Sequence, residues 1–326
     1  MRVFITGISG QDGYYLTHHL LKLKHEVHGM VRRHSVSENQ QYRLEGIKEQ
    51  IHVYYGDMTD QTSLEKLLTD IKPDLIFNLA AQSHVRVSFD IPQYTFQVNA
   101  LGVLNLLEAY RRVCPEARFY QASSSEMFGL SVEKDGFQRE TTPMNPVSPY
   151  GCAKTAAYNL VRHYRRAYKL HACNGILFNH ESPYRGANFV TQKIIIGAVN
   201  IKLGFQDKLE LGNLDSSRDW GHSKDYTNAM IKIIMHDTPD DFVVSSMDTH
   251  TVREFCDIVF RMLNMDYRDY VTQNPKYMRP EELPFLCGDS TKARKTLKWE
   301  PEYTFLEMVK EMVNYWLGEL SCVTPE

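Results

Sequence analysis

The sequence has few cysteines, and none of them is paired at short spacing. The chain of 326 residues contains 6 cysteines, without a CxxC pair or the spacing of a zinc site. This pattern excludes a dense disulfide framework and is typical of reduced thiols in a cytoplasmic protein. No apolar run approaches the ~20 residues that span a bilayer, and no cationic-then-apolar signal segment precedes the first predicted strand. We therefore expect a soluble cytoplasmic protein without a membrane partner.

A large excess of charge of either sign is also absent. The 37 Lys and Arg residues against 40 Asp and Glu residues leave a formal net charge of -3, which gives no electrostatic reason to expect nucleic acid as a partner. The 13 histidines show no HExxH or other metal-ligand spacing, so we predict no metal. With 43% hydrophobic residues, the chain can bury a sizeable core.

Short apolar runs alternate with amphipathic stretches in the first half of the chain. The apolar runs predict strands at 3–5, 27–31, 52–55, 75–79 and 118–122. The stretches between them predict helices at 14–24, 63–71 and 98–112. Strands interleaved with helices predict a parallel sheet covered on both faces, which is a doubly wound α/β fold.

The pattern loosens after about Leu177. Later helices are predicted at 190–203, 224–236 and 251–263, with one returning strand at 242–245. We therefore predict a larger domain over 1–177 and a smaller α/β portion over 178–326, with segments exchanged between the two.

A glycine-rich loop joins the first predicted strand to the first predicted helix. Its G-x-x-G-x-x-G spacing allows a tight turn and lets backbone N–H groups approach a pyrophosphate at the helix N-terminus. The alternative is a glycine-rich turn without a ligand, but the position at the start of a βα unit favours a dinucleotide site of the Rossmann type. Its predicted contacts are Gly7, Ser9, Gly10, Gln11, Asp12 and Gly13.

The end of the second predicted strand indicates which dinucleotide binds. An NAD site usually presents an acid there for the ribose hydroxyls. This chain instead carries Arg32 and Arg33, followed by Ser35. Two arginines suit the 2′-phosphate of NADP, although a solvated basic turn is the alternative. The sequence therefore predicts NADP as the cofactor.

A tyrosine and a lysine four residues apart open a predicted helix. Tyr150 and Lys154 lie on one helical face, and an ammonium near the phenol would lower its pKa, so Tyr150 is a candidate acid/base for a sugar hydroxyl. The preceding strand ends in serines and an acid at the edge where ligands bind. We expect Ser124 to hydrogen-bond the substrate and Glu126 to point into the pocket; a surface carboxylate is the alternative for Glu126.

Five longer segments resemble those of one family of nucleotide-sugar enzymes. They are Tyr120–Gly129, Ser148–Lys154, Leu177–Pro183, Gly212–His222 and Arg279–Glu282. From Gly7 to about Trp299 the chain is similar to the GDP-mannose 4,6-dehydratases, which belong to the extended short-chain dehydrogenases/reductases. The N-H-E-S-P and R-D-W-G-H segments separate this family from most other nucleotide-sugar enzymes.

The resemblance implies a Rossmann-type fold with a smaller C-terminal nucleotide-sugar-binding portion, and a redox-neutral elimination. Tyr150, aided by Ser124 and Lys154, would take the proton of the C4 hydroxyl while hydride moves to NADP. Glu126 would then remove the C5 proton and protonate the departing C6 hydroxyl, and the hydride would return to C6. The product would be GDP-4-keto-6-deoxymannose, which feeds the synthesis of GDP-deoxyhexoses.

The resemblance also implies further binding residues. On the cofactor side these are Asp57, Met58, Leu79, Ala80, Ala81, Ser83, Tyr94, His180 and Arg185, beside Tyr150 and Lys154. On the GDP-mannose side they are Ser83, Ser124, Glu126, Asn179, Val190, Lys193, Arg218, Arg279 and Glu282. For His180, a hydrogen-bonded structural histidine is the alternative.

The sequence departs from the family at a few positions. Ser124 stands where a threonine is common, and Val147 and Tyr184 replace arginines. The relatives pack as oligomers, so we expect a homo-oligomer, a dimer or a tetramer, in which Tyr184 weakens a contact to the neighbouring subunit's cofactor.

Other functions remain open from the sequence, one of them that of another nucleotide-sugar epimerase or dehydratase. A reductase of the GDP-4-keto-6-deoxymannose product would use the same loop and Tyr/Lys pair, either as the main activity or as a second one. Glu126 and the N-H-E-S-P segment argue against it as the sole activity. A silent NADP-binding regulator on this fold is the other alternative, although such a protein has no need of Glu126 and Tyr150 together.

Overall fold

The computed structural model describes residues 1–33 and 42–322. Its helices are α1 (Gln11–Lys22), α2 (Gln61–Ile71), α3 (Val85–Asp90), α4 (Pro92–Phe96), α5 (Gly102–Val113), α6 (Pro149–Tyr168), α7 (Val190–Lys202), α8 (Ser223–Met235), α9 (Val252–Met262), α10 (Thr291–Leu297) and α11 (Phe305–Ser321). Its strands are β1 (Arg2–Thr6), β2 (Glu26–Val31), β3 (His52–Tyr55), β4 (Leu75–Asn78), β5 (Arg118–Ser124), β6 (Ala172–Leu177), β7 (Asn179–Glu181), β8 (Leu209–Leu211), β9 (Ser217–His222), β10 (Asp241–Val244), β11 (Thr249–Thr251), β12 (Val271–Gln273) and β13 (Phe285–Leu286).

A seven-stranded parallel sheet forms the centre of the molecule. The strand order is β10-β6-β5-β4-β1-β2-β3, and every neighbouring pair is parallel. Helices α1 and α8 cover one face, while α2, α5 and α6 cover the other. Parallel strands need this cover because both of their faces are apolar. The predicted doubly wound α/β fold is confirmed.

The C-terminal part of the chain contributes to two regions. Strand β10 and helix α8 join the large sheet. The remaining strands form a smaller sheet of β11, β9 and β13, with β7 pairing to β9, and a two-stranded ladder of β12 and β8. Helices α7, α9 and α11 pack around their own apolar cluster against this region. The predicted returning strand, observed as β10, therefore belongs to the large parallel sheet and its apolar core.

The start of α1 shows how the glycines act. The helix begins at Gln11, earlier than the Tyr14 that the spacing of apolar residues predicts, and Gly13 lies in its first turn. A Cβ on Gly13 would lie 2.3 Å from the carbonyl oxygen of Ile8, so a side chain there would separate the helix from its loop.

Among residues 1–33 and 42–322, no helix has the length and apolar content needed to cross a membrane.

A buried polar network joins β10 to the large sheet. The carboxylate of Asp241 accepts two hydrogen bonds from Arg165, at 2.9 and 2.7 Å, and one from Asn174 at 2.8 Å. The side chains of Asp241 and Arg165 are only 7% and 14% exposed. The carboxylate therefore supplies the charge and the hydrogen bonds that the buried ends of α6 and β6 require.

Replacing Asp241 should destabilise the fold strongly. We expect Asp241→Ala to lower the free energy of unfolding by about 3 to 5 kcal/mol, because Arg165 loses its buried partner. Urea unfolding measures this change. Asp248→Ala is the matched control: its carboxylate is 67% exposed, and its loss should change the free energy by less than about 0.5 kcal/mol. Equal losses in the two variants would contradict this role for Asp241.

Candidate active site

The glycine-rich loop lies against the neighbouring strand connection. Gly7 has a φ of +71°, and a Cβ there would lie 2.9 Å from the backbone nitrogen of Ala80. Gly10 is the N-cap of α1, and no side chain caps the helix. The first backbone N–H groups of α1 are therefore available to an anion, as a pyrophosphate-binding loop requires.

Two adjoining cavities lie at the carboxyl ends of the parallel strands. The first, of about 410 Å³, borders the glycine loop, and the second, of about 610 Å³, borders the end of β5. Six residues line both cavities: Asp12, Leu79, Ala81, Ser83, Arg185 and Phe189. A ligand in one cavity therefore lies beside a ligand in the other.

The first cavity gathers most of the residues predicted to bind the cofactor. Those lining it are Gly7, Ser9, Gly10, Gln11, Asp12, Gly13, Arg32, Asp57, Met58, Leu79, Ala80, Ala81, Ser83, Tyr94 and Arg185. Arg33 does not line it; its guanidinium lies 5.9 Å from the ring centre of Tyr55 and is exposed. Ser35 lies outside the described residues. The side chain of Arg32 donates to the hydroxyl of Tyr94, which places both at the same wall.

One arginine of this cavity was missed by the sequence analysis. Arg43 donates from Nη1 to the carbonyl oxygen of Ser9 and from Nε to that of Tyr184, both at 3.1 Å. It comes from the helical turn Tyr42–Gln50, which belongs to no recognisable motif. Only the fold brings this third arginine to the glycine loop, so spacing alone gives no signal for it.

The second cavity contains the predicted catalytic residues and most of the predicted substrate-binding residues. Among the residues that line it are Ser124, Glu126, Tyr150, Lys154, Asn179, His180, Val190, Lys193 and Arg279. Two predicted substrate residues do not line it. Arg218 and Glu282 lie behind Arg279, where they form an ion pair at 2.9 Å.

The Tyr150–Lys154 pair is fixed by the start of α6. Ser148 caps the helix by accepting a hydrogen bond from Gly151, and Pro149 occupies the first turn. Lys154 donates to the carbonyl oxygen of Ala122 at 2.9 Å, and its Nζ lies 5.7 Å from the ring centre of Tyr150. The helix therefore holds both groups against the end of β5.

The pKa values of this pair differ from the expectation. Burial raises the pKa of Tyr150 to about 12, although a hydrogen bond with Ser124 works in the opposite direction. Burial also lowers the pKa of Lys154 to about 8. The pKa of Tyr150 therefore lies above its ordinary value and not below it as expected, because burial is the largest influence on it.

Glu126 is buried and paired rather than a surface carboxylate. It lies in the turn Ser125–Met127 after β5 and is 7% exposed. Its Oε1 accepts a hydrogen bond from Nη1 of Arg279 at 3.1 Å. The carboxylate thus shares its cavity with Tyr150 and Ser124, as the sequence analysis expects.

A second buried ion pair lies between the two cavities. His180 Nε2 lies 2.9 Å from Oδ2 of Asp12, and its Nδ1 lies 2.8 Å from the carbonyl oxygen of Phe178. Burial alone would lower the pKa of His180, but the Asp12 carboxylate raises it. The pKa of Asp12 is lowered in turn, because His180 and Arg185 outweigh its burial. His180 is therefore both a structural histidine and a residue of the cavity wall.

Tyr184, which replaces a family arginine, has a partner within the chain. Its hydroxyl accepts a hydrogen bond from Tyr14 at 3.3 Å, and the two ring centres are 4.2 Å apart. The tyrosine thus packs on α1 beside the glycine loop. Val147 is partly buried against the apolar core.

One group of residues able to hold a metal ion occurs within the described ranges. Ligand atoms of Glu26, His28 and His52 lie within 4.8 Å of one another. The group sits at the amino-terminal halves of β2 and β3, whereas the cavities lie at the carboxyl ends. His28 is already hydrogen-bonded to Glu26 and to the hydroxyl of Tyr54, so the cluster has a structural explanation.

A glycine-loop Rossmann sheet with a Ser-Tyr-Lys set at the end of β5 defines the class of short-chain dehydrogenases/reductases. The solved structures agree with this fold. A UDP-glucose 4-epimerase from Thermotoga maritima superposes with a TM-score of 0.86 at 22% identity, covering 98% of this chain and 100% of the other. The RMD protein from Pseudomonas aeruginosa, solved with NADPH, gives a TM-score of 0.79 at 24% identity, with 97% and 99% covered.

The sequence comparisons are more specific. Residues 4–312 match the family model described as GDP-mannose 4,6 dehydratase. GDP-mannose 4,6 dehydratase 1 of Arabidopsis thaliana is 48% identical, covering 95% of this chain and 88% of the relative. The GDP-mannose 4,6 dehydratase of Homo sapiens is 46% identical, with 95% and 90% covered. The chain belongs to the GDP-mannose 4,6-dehydratase family, which confirms the resemblance.

The Asp12–His180 pair predicts a pH effect that NMR can measure. We expect His180 to titrate above its ordinary value of 6.5 in the parent protein and below it in Asp12→Asn, where burial acts without the carboxylate. The stabilisation by protonated His180 should be complete below pH 6.5 and lost as the pH rises through the raised pKa. The resonances of His250, whose carboxylate partners are Asp248 and Glu254, serve as the control. An unchanged midpoint for His180 in the variant would contradict the pairing.

Proposed function

We propose that this protein converts GDP-mannose to GDP-4-keto-6-deoxymannose and water. The observation that carries the proposal is the buried Glu126 in the same cavity as Ser124, Tyr150 and Lys154, in a chain of this family. A reductase of the keto sugar needs a proton donor at one oxygen and has no use for a second acid/base. The carboxylate beside the tyrosine therefore favours the dehydratase over the reductase.

The first cavity suits a nicotinamide dinucleotide, and we propose NADP. The close-packed glycines and the uncapped start of α1 match a pyrophosphate, and the cavity continues past Ser83 to Tyr150. Two solved structures of similar fold, a dTDP-glucose 4,6-dehydratase and the RMD protein, contain NAD and NADPH respectively. Arg32 and Arg43 both line the cavity, and Arg33 and Ser35 come after Arg32 in the sequence, which favours a 2′-phosphate. Held by these residues, the cofactor would supply a hydride acceptor for C4 of the sugar and a hydride donor for C6.

Tyr150 and its neighbours Ser124 and Lys154 deprotonate the C4 hydroxyl in this proposal. Tyr150 takes its proton as the alcohol becomes a ketone, with Ser124 donating a hydrogen bond to the sugar oxygen or to the phenolate. The phenolate needs positive charge nearby, since burial raises the pKa of Tyr150 to about 12. Lys154 supplies part of this charge from the next turn of α6.

Glu126 is the general base and then the general acid of the elimination in this proposal. A ketone at C4 acidifies the proton at C5, and Glu126 removes it as a general base. The same carboxyl group then gives that proton to the C6 hydroxyl, which leaves as water. C5 then regains a proton from solvent, and the proton that Tyr150 took from the C4 hydroxyl is released to solvent. With hydride returned to C6, the product differs from the substrate by one water, so no net oxidation occurs.

The nucleotide end of the substrate lies toward the smaller region in this proposal. Lys193 and Arg279 line the second cavity beside Asn179 and Val190, and both cations suit the diphosphate. Arg218 and Glu282 support Arg279 from behind rather than lining the cavity. We further propose that the protein is cytoplasmic, because its six cysteines are free thiols. We also propose that it forms a homo-oligomer, because the apolar side chains of Phe96 and Leu101 are exposed.

The cofactor proposal predicts a loss of NADP selectivity in an arginine variant. We expect Arg32→Ala with Arg33→Ala to weaken NADP binding by about 10- to 100-fold and to leave NAD binding within about twofold, since the loss of one charge-assisted hydrogen bond to the 2′-phosphate costs about 1.5 to 3 kcal/mol. Fluorescence titration with each dinucleotide measures this. Arg268→Ala removes an exposed arginine and is the matched control. Equal weakening for both dinucleotides would refute the role of the two arginines.

The reaction itself can be followed by mass spectrometry of the nucleotide sugars. Purified protein with GDP-mannose and a catalytic amount of NADP should form a product lighter by one water, with no net change in the cofactor. Glu126→Gln should lower the rate by at least about 100-fold, because the amide cannot accept the C5 proton. Exposed Glu210→Gln is the control for the change of charge. Failure with GDP-mannose, together with NADPH consumption on a supplied 4-keto sugar, would favour the reductase instead.

A further inference from the structure

Four charged side chains alternate in sign in a row that ends at the second cavity. Arg218 Nη2 donates to Oε1 of Glu282 at 2.9 Å, and the same oxygen lies 3.6 Å from Nη1 of Arg279. The same nitrogen of Arg279 donates to Oε1 of Glu126 at 3.1 Å. The row runs from a buried arginine to the acid/base of the proposed reaction, and of its four members Arg279 and Glu126 line the cavity.

The two ends of this row are fixed. Arg218 is 5% exposed and donates from Nη1 to the carbonyl oxygens of Ser217 and Leu283, at 2.9 and 2.8 Å. Glu126 follows β5 directly, and its backbone N–H donates to Oγ of Ser124 at 3.3 Å. A Cβ on Gly151 would lie 2.8 Å from the carbonyl oxygen of Glu126, so α6 packs closely on this turn.

Arg279 comes from a less constrained segment. It follows the turn Pro275–Tyr277, and Tyr277 and Met278 are 40% and 41% exposed. Its guanidinium lies between two carboxylates, and the closer is that of Glu126. Arg279 is therefore the member of the row that can change partner at the smallest structural cost.

We propose that Arg279 holds Glu126 in an ion pair until the diphosphate of the nucleotide sugar takes Arg279 away. This inference rests on the proposed function and adds a coupling between its two halves. A diphosphate offers a guanidinium two charged oxygens in bidentate geometry, which competes well with a single carboxylate contact. Glu282 stays beside Arg279 and keeps it near the cavity during the exchange.

The exchange changes the chemistry of Glu126. In the ion pair, Oε1 of Glu126 is occupied by the hydrogen bond from Arg279. Binding of the diphosphate frees this oxygen to accept a proton from the sugar that lies beside it. A free hexose has no diphosphate and leaves Glu126 paired with Arg279. The exchange of partners therefore favours the nucleotide sugar as substrate.

The competition has a consequence that runs against its catalytic role. If Glu126 and the diphosphate compete for Arg279, removing the charge of Glu126 must strengthen diphosphate binding. Glu126→Gln keeps the size and a hydrogen-bond acceptor but loses the charge. We expect it to bind GDP about three- to tenfold more tightly than the parent protein, while being inactive as a dehydratase.

The test is a titration of the NADP-saturated, full-length protein with GDP, by calorimetry and by ligand NMR at millimolar GDP for weak variants. Parent, Glu126→Gln, Arg279→Gln and the double variant form a cycle. Glu126→Gln should tighten GDP binding in the parent and have no effect in the Arg279→Gln background, since Arg279 transmits it. Exposed Glu210→Gln, beside the same cavity, controls for a general change of potential and should change affinity less than twofold. NADP affinity reports whether each variant is folded.

Two results would overturn the inference while leaving the proposed function intact. One is unchanged GDP affinity in Glu126→Gln. The other is the same tightening with and without Arg279, which would mean that only the overall potential of the cavity had changed. A parent protein that does not bind GDP at all would overturn the proposed function as well.

Discussion

The hydrogen bond from Lys154 to the carbonyl oxygen of Ala122 is the contact on which the site depends. It ties α6 to the end of β5, a central strand paired on both sides in parallel register. Because the carboxyl ends of parallel strands meet at one edge, this single attachment brings Tyr150 from the helix to Ser124 and Glu126 from the strand. Burying the ammonium is costly, which is why the pKa of Lys154 falls to about 8.

A second feature is that three cations of the cavities are paired with carboxylates. His180 lies against Asp12, Arg185 against Glu181, and Arg279 against Glu126. Such pairs hold buried charge in place without a large net potential. A phosphate that binds one of these three cations therefore competes with a carboxylate, and at Arg279 that carboxylate belongs to the proposed acid/base Glu126.

The sequence predicted those parts of the molecule that local spacing determines. The glycine loop, the Tyr150–Lys154 pair and the first five strands depend on residues close together in the chain, and the structure contains them. Strand β6 was not predicted, because Asn174 and Gly175 are poor strand residues. They are accommodated by long-range contacts: Asn174 bonds to Asp241, and Gly175 leaves room for the ring of Tyr120.

The same limit applies to the candidate site. Arg43 reaches the glycine loop only because the fold returns the chain there, and the pairing of Glu126 with Arg279 joins residues 153 positions apart. The pKa of Tyr150 was misjudged because helical spacing reports the distance to Lys154 but not the burial of both groups. Long-range packing and desolvation are the quantities that spacing does not contain.

The proposed mechanism requires Tyr150 and Glu126 to act on one sugar in one cavity, with hydride leaving and returning within that site. GDP-mannose that carries deuterium at C4 tests this requirement, by NMR of the product. We expect deuterium at C6 of the same sugar and a solvent hydrogen at C5. Deuterium found in released cofactor or lost from the sugar, with C5 unexchanged, would contradict it.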